Sequence, residues 1–281
     1  ARNTTAATRR KKTKNAKNVY TVAFTSDRNF LQYIPTVLFT LQHAHRREPS
    51  VKFKAYIVLR GVQKNDQVIR SMIAQLARRV PTIKPIFIEN PAVYEYKNSL
   101  KHVSMSCLDR LVLPELLPAH ENRVVYLDLD IMVISSILPL FKVKVGPKGI
   151  SGKRSFKENV VANWLKKNRN SGVTYNHTTS INAGVLVMDL DVLRRNKFAK
   201  FTIDLCQKHL MNDQSAINIY LDGQNVPIEA RFNAYYNQDL SQTKHAAIIH
   251  FAGSKKVWHT DFPNKNLAMV WKRFERAAAR Q

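Results

Sequence analysis

The sequence predicts an α/β protein in which a mostly parallel, twisted sheet is flanked by helices in one domain. Three observations predict it. Residues 19–88 alternate strand and helix patterns, the signature of a parallel sheet with crossover helices. The apolar run Arg123–Val133 carries two acids one residue apart, Asp128 and Asp130, where α/β sheets bind ligands. A chain of 281 residues buries roughly three quarters of its unfolded surface, enough for one large domain or two modest ones.

Composition sets the outer limits. Apolar residues make up 44% and charged residues 23%, as in a soluble globular protein, but the net charge is +25. That excess predicts an anionic partner: nucleic acid, membrane surface, acidic glycan or nucleotide. Two cysteines, Cys107 and Cys206, make no disulfide framework and are expected as buried free thiols. No apolar run approaches the roughly 18 residues of a membrane span, and the N-terminus lacks a signal-peptide core. The chain opens at Ala1, so an upstream anchor trimmed away is also considered; Asn3 and Asn176 head N-x-Thr sequons that matter in a secretory lumen. A cytoplasmic, membrane-peripheral location is the expectation otherwise.

Residues 1–17 carry Arg2, Arg9, Arg10, Lys11, Lys12, Lys14 and Lys17 with no acid, which predicts a disordered basic arm. Val19 to Phe24 reads as the first strand. It leads through the polar turn Thr25-Ser26-Asp27-Arg28-Asn29-Phe30 into a helix over Leu31 to His43. Asp27 suits either a helix cap or a base N–H. Val51 to Leu59 is the second strand, Val68 to Val80 has helical spacing, and Ile83 to Ile88 is the third strand. No G-x-G-x-x-G follows the first strand, which argues against a dinucleotide fold. A helical stretch is predicted over Leu100 to Leu117, with Arg110 pairing internally with Asp109 or reaching a phosphate.

In the strand Arg123–Val133, alternation places Asp128 and Asp130 on one face and Leu127, Leu129 and Ile131 on the other. Two acids there repel and cost desolvation energy unless a cation compensates; hard carboxylates suit Mg²⁺ or Mn²⁺. An aspartyl-phosphate loop would need Thr or Val where Met132 stands. Gly146 to Lys153 misses the phosphate-loop spacing and reads as a mobile basic loop. In Ser180 to Leu190, Asn182 and Gly184 interrupt a buried strand, either as a bulge or to admit a ligand. Asn212-Asp213-Gln214 opens a helix over Ser215 to Leu221. Near the end, His250 closes an apolar strand and is followed by Gly253, Lys256, Trp258 and His259. His250 is a candidate third metal ligand and Lys256 a candidate phosphate clamp.

Taken in order, the T-x-D-x-N turn, the Y-L-D-x-D-x-x-V strand, N-A-G-V-L-V-M-D-L, D-Q before a helix and H-F-x-G-x-x-K-x-W-H resemble glycosyltransferase family 8. Its members include lipooligosaccharide galactosyltransferases, glycogenin and plant galacturonosyltransferases. The resemblance spans Val19 to His259 and implies a GT-A fold, a Rossmann-like sheet, in a catalytic domain over 18–262. It implies a retaining, Mn²⁺-dependent transfer of a hexose, galactose or glucose first, from a UDP-sugar to a glycan, glycolipid or glycoprotein acceptor. Galacturonosyl or xylosyl transfer is the same-family alternative. An inactive scaffold binding nucleic acid or another polyanion is the alternative of another class.

By position, the resemblance gives the metal to Asp128, Asp130 and His250, and the nucleotide to Thr25, Asp27, Asn29, Leu129, Gly253 and Lys256, with Arg110 at a donor contact. It places Asn182, Ala183, Asp213 and Gln214 around the donor sugar, with Asp213, Gln214 and Asn182 as the catalytic candidates. An amide is a poor nucleophile, so front-face attack is expected. Where related galactosyltransferases place an acid beside the donor sugar, this chain has Gly152, Lys153 and Arg154, and a basic residue there suits a uronic acid. Val257 replaces the usual Pro before Trp258. Residues 263–281 read as a basic amphipathic helix, with Leu267, Val270, Trp271 and Phe274 on its apolar stripe. That stripe suits packing on the domain or an anionic membrane.

Overall fold

Strand β1 (Val19–Asp27) lies at the middle of the main sheet and determines where its crevice falls. In the computed structural model, which describes residues 18–90, 105–155, 160–237 and 244–280, the six strands run in the order β3-β2-β1-β4-β7-β6. These are β2 (Lys52–Arg60), β3 (Ile83–Glu89), β4 (Arg123–Leu127), β6 (Ile150–Ser155) and β7 (Ser180–Asp189). β3, β2, β1 and β4 pair in parallel, whereas β7 is antiparallel to both β4 and β6. The chain builds outward from β1 to β2 and β3, then returns to the other side at β4. That reversal opens a crevice beyond the carboxyl ends of β1 and β4.

Alternating side chains bury both faces. Val22 and Phe24 of β1, Val125 and Leu127 of β4, and Val185 and Val187 of β7 join one core with α1 (Ile34–Ala44), α2 (Gln67–Arg79) and a terminal helix, α8 (Lys265–Ala279). Ala23, Val124, Tyr126, Leu186 and Met188 face the other core. That core is closed by α3 (Leu113–Leu116), α5 (Leu190–Arg195), α6 (Phe198–His209) and α7 (Asp213–Leu221), and α4 (Val160–Lys167) packs outside α7. Local chemistry fixes the helix starts: Asp66, Asn212 and Asn264 accept from Val68, Ser215 and Leu267 N–H groups, and Pro35 sits in the first turn of α1. No helix among the described residues is long and apolar enough to cross a membrane.

Several expectations change in the structure. The run 123–133 is two strands. β4 ends at Leu127, and β5 (Ile131–Val133) joins a second sheet, order β5-β9-β8, with β8 (Ala234–Tyr235) and β9 (Ile248–His250). Asp128 and Asp130 therefore lie where the chain passes between sheets. The backbone is held there by Asp128 N–H to Gly184 C=O at 2.8 Å and Phe251 N–H to Asp130 C=O at 2.8 Å. From Met105 the expected long helix is a 3-10 turn, Met105–Val112, and then the short α3, whose start carries Pro114. The stretch read as a mobile basic loop contains the first four residues of β6, 150–153. Ile150 and Ser151 are buried by pairing with Met188 and Val187, and Gly149, at φ +77°, makes the turn into the strand. The arm expected over 1–17, the Asn3 sequon, the beginning of the stretch from Leu100, and Gln281 lie outside the described residues.

The terminal helix packs against α1 and the core beneath it. Trp271 is fully buried, Leu267 and Phe274 flank it, and Gln75 Nε2 donates to Ala278 C=O at 2.9 Å. Val270, expected on that apolar stripe, faces outward with Met269. Trp258 stacks on Tyr33 at 3.8 Å between ring centroids, tying the loop after β9 to the turn after β1 despite Val257.

A buried polar plug closes the opposite end of the main sheet. Glu121 accepts from Thr21 at 2.8 Å and Tyr56 at 3.0 Å and pairs with Lys54. Burial alone would raise its carboxyl, but the hydrogen bonds from Lys54, Thr21 and Tyr56 outweigh it and hold the group below its ordinary value of 4.5. A depressed folded value contributes stability above the unfolded pKa that is lost as pH falls through the folded one. Glu121→Gln is expected to cost about 1–2 kcal/mol at pH 7 in urea unfolding. The gap to wild type should shrink as the pH drops below 4.5; a pH-independent gap would contradict the assignment.

Candidate active site

The crevice gathers six ionisable side chains from five places in the chain. Asp128 and Asp130 come from the passage between β4 and β5, His250 from the end of β9, Asp213 from the start of α7, and Arg110 from the 3-10 turn. Lys256 comes from the loop that follows Gly253, a residue at φ +104°. One ligand atom each from Asp128, Asp130 and His250 lies within 4.8 Å of the others. The His250 ring places Nε2 at 3.2 Å from Asp130 Oδ1 and 3.8 Å from Asp128 Oδ2.

Two carboxylates and one imidazole form a donor set suited to Mn²⁺ or Mg²⁺. Gly184 makes room for them. A Cβ at that position would fall 2.2 Å from His250 Cε1 and 2.8 Å from Asp128 Oδ2, so only a residue without a side chain fits the wall of this cradle. The residues present therefore fit a divalent cation.

Electrostatics bind the cluster together. Burial works against the charged form of Asp130, but the His250 ring and the Lys256 ammonium outweigh it, and its carboxyl titrates far below the ordinary range. Lys256 Nζ donates to Asp130 Oδ2 at 2.5 Å and to Phe251 C=O at 3.2 Å. Arg110 is buried, and its expected pairing with Asp109 is not formed. Asp109 pairs with Arg60 and accepts from Asn90, because the 3-10 turn points consecutive side chains in different directions. Arg110 turns inward instead, 2.9 Å from Asp128 Oδ1 and 3.0 Å from Asp213 Oδ2, and donates to Ala183 C=O at 2.6 Å. Burial opposes its charge, and Asp128 and Asp213 more than restore it. Burial raises the Asp213 carboxyl; Arg110 opposes that and Asp128 reinforces it.

The other predicted residues take up distinct places. Thr25 Oγ1 meets Tyr126 Oη at 3.1 Å, and Tyr126 donates to Asp128 Oδ1 at 2.7 Å, so the turn after β1 is wired to the acid pair. Asp27 Oδ1 accepts from Asn29 N–H at 2.9 Å and Phe30 N–H at 3.2 Å and braces the turn after β1 instead of capping a helix, since Phe30 and Tyr33 hold the cap positions that follow. Asn29 is exposed at the rim, and Leu129 packs into the core instead of facing the crevice. Asn182, Ala183 and Gln214 meet directly: Gln214 Oε1 accepts from Asn182 Nδ2 at 3.1 Å and from Ala183 N–H at 3.0 Å. Asn212 supplies the cap of α7 and Asp213 is its first residue.

Two contributors escaped the sequence reading. Tyr126 looked like one more apolar strand residue. Asn233, fully buried, sits in Arg231-Phe232-Asn233 with no spacing signal to mark it; only an amide among aromatic residues hinted at a role.

The chain as a whole is similar to known proteins. The profile of Glycosyl transferase family 8 matches residues 21–261. The chain belongs to that family. It is 24% identical over 204 residues to the glycosyltransferase GlyF of Streptococcus pneumoniae serotype 4, covering 68% of this chain and 46% of that protein. It is 24% identical over 258 residues to the probable galacturonosyltransferase-like 6 of Arabidopsis thaliana, covering 84% and 73%. The family 8 chain thus spans under half the length of its pneumococcal relative. The solved structure of the galactosyltransferase LgtC with donor and acceptor sugar analogs superposes with a TM-score of 0.67 at 21% identity, covering 92% of this chain and 95% of that one. Mouse xyloside xylosyltransferase 1 gives 0.57 at 16% identity, covering 88% and 99%. These likenesses establish the GT-A fold.

The Gly184 cradle makes a direct prediction. Gly184→Ala should lower Mn²⁺ affinity at least tenfold in calorimetry, while overpacking costs about 1–3 kcal/mol of stability. Wild-type Mn²⁺ binding by a folded Gly184→Ala protein would contradict the cradle.

Proposed function

We propose that this glycosyltransferase moves a hexose from a UDP-sugar to a hydroxyl of a glycan, glycolipid or glycoprotein acceptor, with retention and with Mn²⁺ held by Asp128, Asp130 and His250. The observation that carries the reading is the convergence of those three side chains, within 4.8 Å, at the crevice where β1 and β4 diverge. Mn²⁺, or Mg²⁺ in its place, would supply Lewis-acid stabilisation of the charge that grows on the diphosphate. Thr25, Asp27 and Asn29 form the rim assigned to the nucleotide. Lys256, held beside Asp130 by the loop from Gly253, is the cation assigned to the phosphates.

Asn182, Ala183, Asp213 and Gln214 line the donor sugar in this reading. An amide attacks poorly, so the acceptor hydroxyl adds to the anomeric carbon from the face that UDP leaves. The bond from that carbon to the phosphate oxygen breaks, the acceptor oxygen bonds to it, and the hydroxyl proton passes to the departing phosphate. Buried Arg110 holds Asp128 and Asp213 in place through its two ion pairs and moves no proton itself.

Galactose or glucose is the first donor choice. A uronic acid is favoured by one observation: Lys153 is buried on β6, with its ammonium 3.9 Å from the centroid of Tyr235, whose ring lies 5.8 Å from that of His250. A cation one ring away from the metal ligand suits a donor carboxylate. The exposed side of α8, with Met269 and Val270 beside Lys272 and Arg273, is the face an anionic membrane or acidic acceptor would meet.

The test is UDP release from a panel of UDP-galactose, UDP-glucose, UDP-galacturonate and UDP-xylose, with Mn²⁺ or EDTA. Metal-dependent release from one sugar is expected and names the donor. Asp130→Asn should abolish transfer with the fold intact; normal turnover by that variant, or release unaffected by EDTA, would overturn the metal assignment. Binding of polyanions that ignores Mn²⁺ and falls steeply with salt, with no release from any donor, would favour the inactive scaffold.

A further inference from the structure

Two backbone N–H groups fix the polarity of four side chains in the crevice. β6 and β7 slip register here: Gly152 faces Leu186 while Arg154 faces Ile181, so residues 182–185 bulge from the ladder. The freed N–H groups of Ala183 and Gly184 turn to side chains instead. A backbone N–H can only donate, so the atom of Gln214 at 3.0 Å from Ala183 N is Oε1, and the atom of Asn182 at 2.9 Å from Gly184 N is Oδ1. Asn182 then offers Nδ2 to Gln214 Oε1 at 3.1 Å.

Asn233 continues the chain. It meets Asn182 Oδ1 at 2.8 Å, and an acceptor there needs its amino group. Its Oδ1 therefore faces His250 Nδ1, at 2.8 Å. An amide oxygen only accepts, so Nδ1 carries a hydrogen, and Nε2 is the nitrogen aimed between Asp128 and Asp130, whose lone pair would go to a bound cation. Asn233 reaches this spot because the turn Ala230–Asn233 runs straight into β8, which pairs with β9 through Ala234 opposite Ile249 and Tyr235 opposite His250.

We propose that Asn233 is a positioning residue that couples the metal ligand His250 to the donor-sugar residues Asn182 and Gln214. The proposal rests on the metal site and sugar site assigned under the proposed function. One end of Asn233 sets the His250 tautomer with its lone pair toward the cation; the other holds Asn182, and through it the amide of Gln214. Because Gln214 Oε1 already accepts two hydrogen bonds, its amino group is the end offered to a bound sugar. Gln214 then acts as a hydrogen-bond donor to a sugar or phosphate oxygen, not as an oxygen nucleophile.

Two variants separate the two ends. Asn233→Asp keeps an acceptor for His250 Nδ1–H but sets a carboxylate oxygen against Asn182 Oδ1. Asn233→Ala removes both contacts. With the full chain stripped of metal, Mn²⁺ titration by calorimetry should give Asn233→Asp an affinity within a few-fold of wild type. Asn233→Ala should bind about 10–100-fold more weakly, the usual effect of losing such a supporting contact. In steady-state assays Asn233→Asp should lower kcat at least tenfold with little change in donor KM. In the Mg²⁺-loaded wild-type protein, ¹⁵N NMR should find His250 protonated on Nδ1, which decides the matter even if Asn233→Ala does not fold. Wild-type Mn²⁺ affinity in Asn233→Ala, equal losses in both variants, or an Nε2–H tautomer would overturn the proposal. A wild-type protein that binds no Mn²⁺ would instead bring down the functional reading beneath it.

Discussion

Three carboxylates, Asp128, Asp130 and Asp213, share one gap at the edge of a hydrophobic sheet, and much of the surrounding structure offsets that repulsion. Burial of like charges at this spacing is costly unless cations sit among them. Arg110 stands between Asp128 and Asp213, while Lys256 and His250 stand against Asp130. Each of these groups arrives from a separate segment. Charge neutralisation thereby draws together the 3-10 turn, the start of α7, the end of β9 and the following loop. A divalent ion, with the imidazole as its third ligand, would complete the balance that one arginine and one lysine begin.

The backbone makes the gap possible. β4 leaves the main sheet at Leu127 and the chain re-pairs in the second sheet only at Ile131, so the acids occupy the passage between sheets. The bulge in β7 opens the opposite wall, and Gly184 keeps that wall thin. Hydrogen bonds then leave little freedom inside: Thr25 to Tyr126 to Asp128 on one side, His250 to Asn233 to Asn182 to Gln214 on the other. Such preorganisation keeps the cost of ordering out of the reaction itself.

Much of this was legible in residue order. Alternation of apolar strands with helical spacing revealed the sheet, since each strand buries one residue type on each face. The acid pair, the small residues at 182–184 and the histidine at a strand end marked the crevice, because their chemistry is expensive anywhere else. What could not be read was long-range pairing. The break between β4 and β5 depends on β9, more than a hundred residues away, and Arg110 chose Asp128 and Asp213 over its neighbour Asp109 because of a 3-10 twist. The edge pairing of β6 hid beneath glycines and lysines that read as a loop. Asn233 carried no spacing signal, for a buried amide acquires its meaning from partners that the fold alone supplies.

The central claim is that Asp128, Asp130 and His250 hold one divalent cation against a nucleotide diphosphate. Anomalous diffraction at the manganese edge, from crystals grown with Mn²⁺ and UDP, tests it most directly. The account predicts a single strong peak within bonding distance of all three side chains and of the diphosphate. UDP bound in the crevice with no peak there, or a peak at other residues, would contradict it.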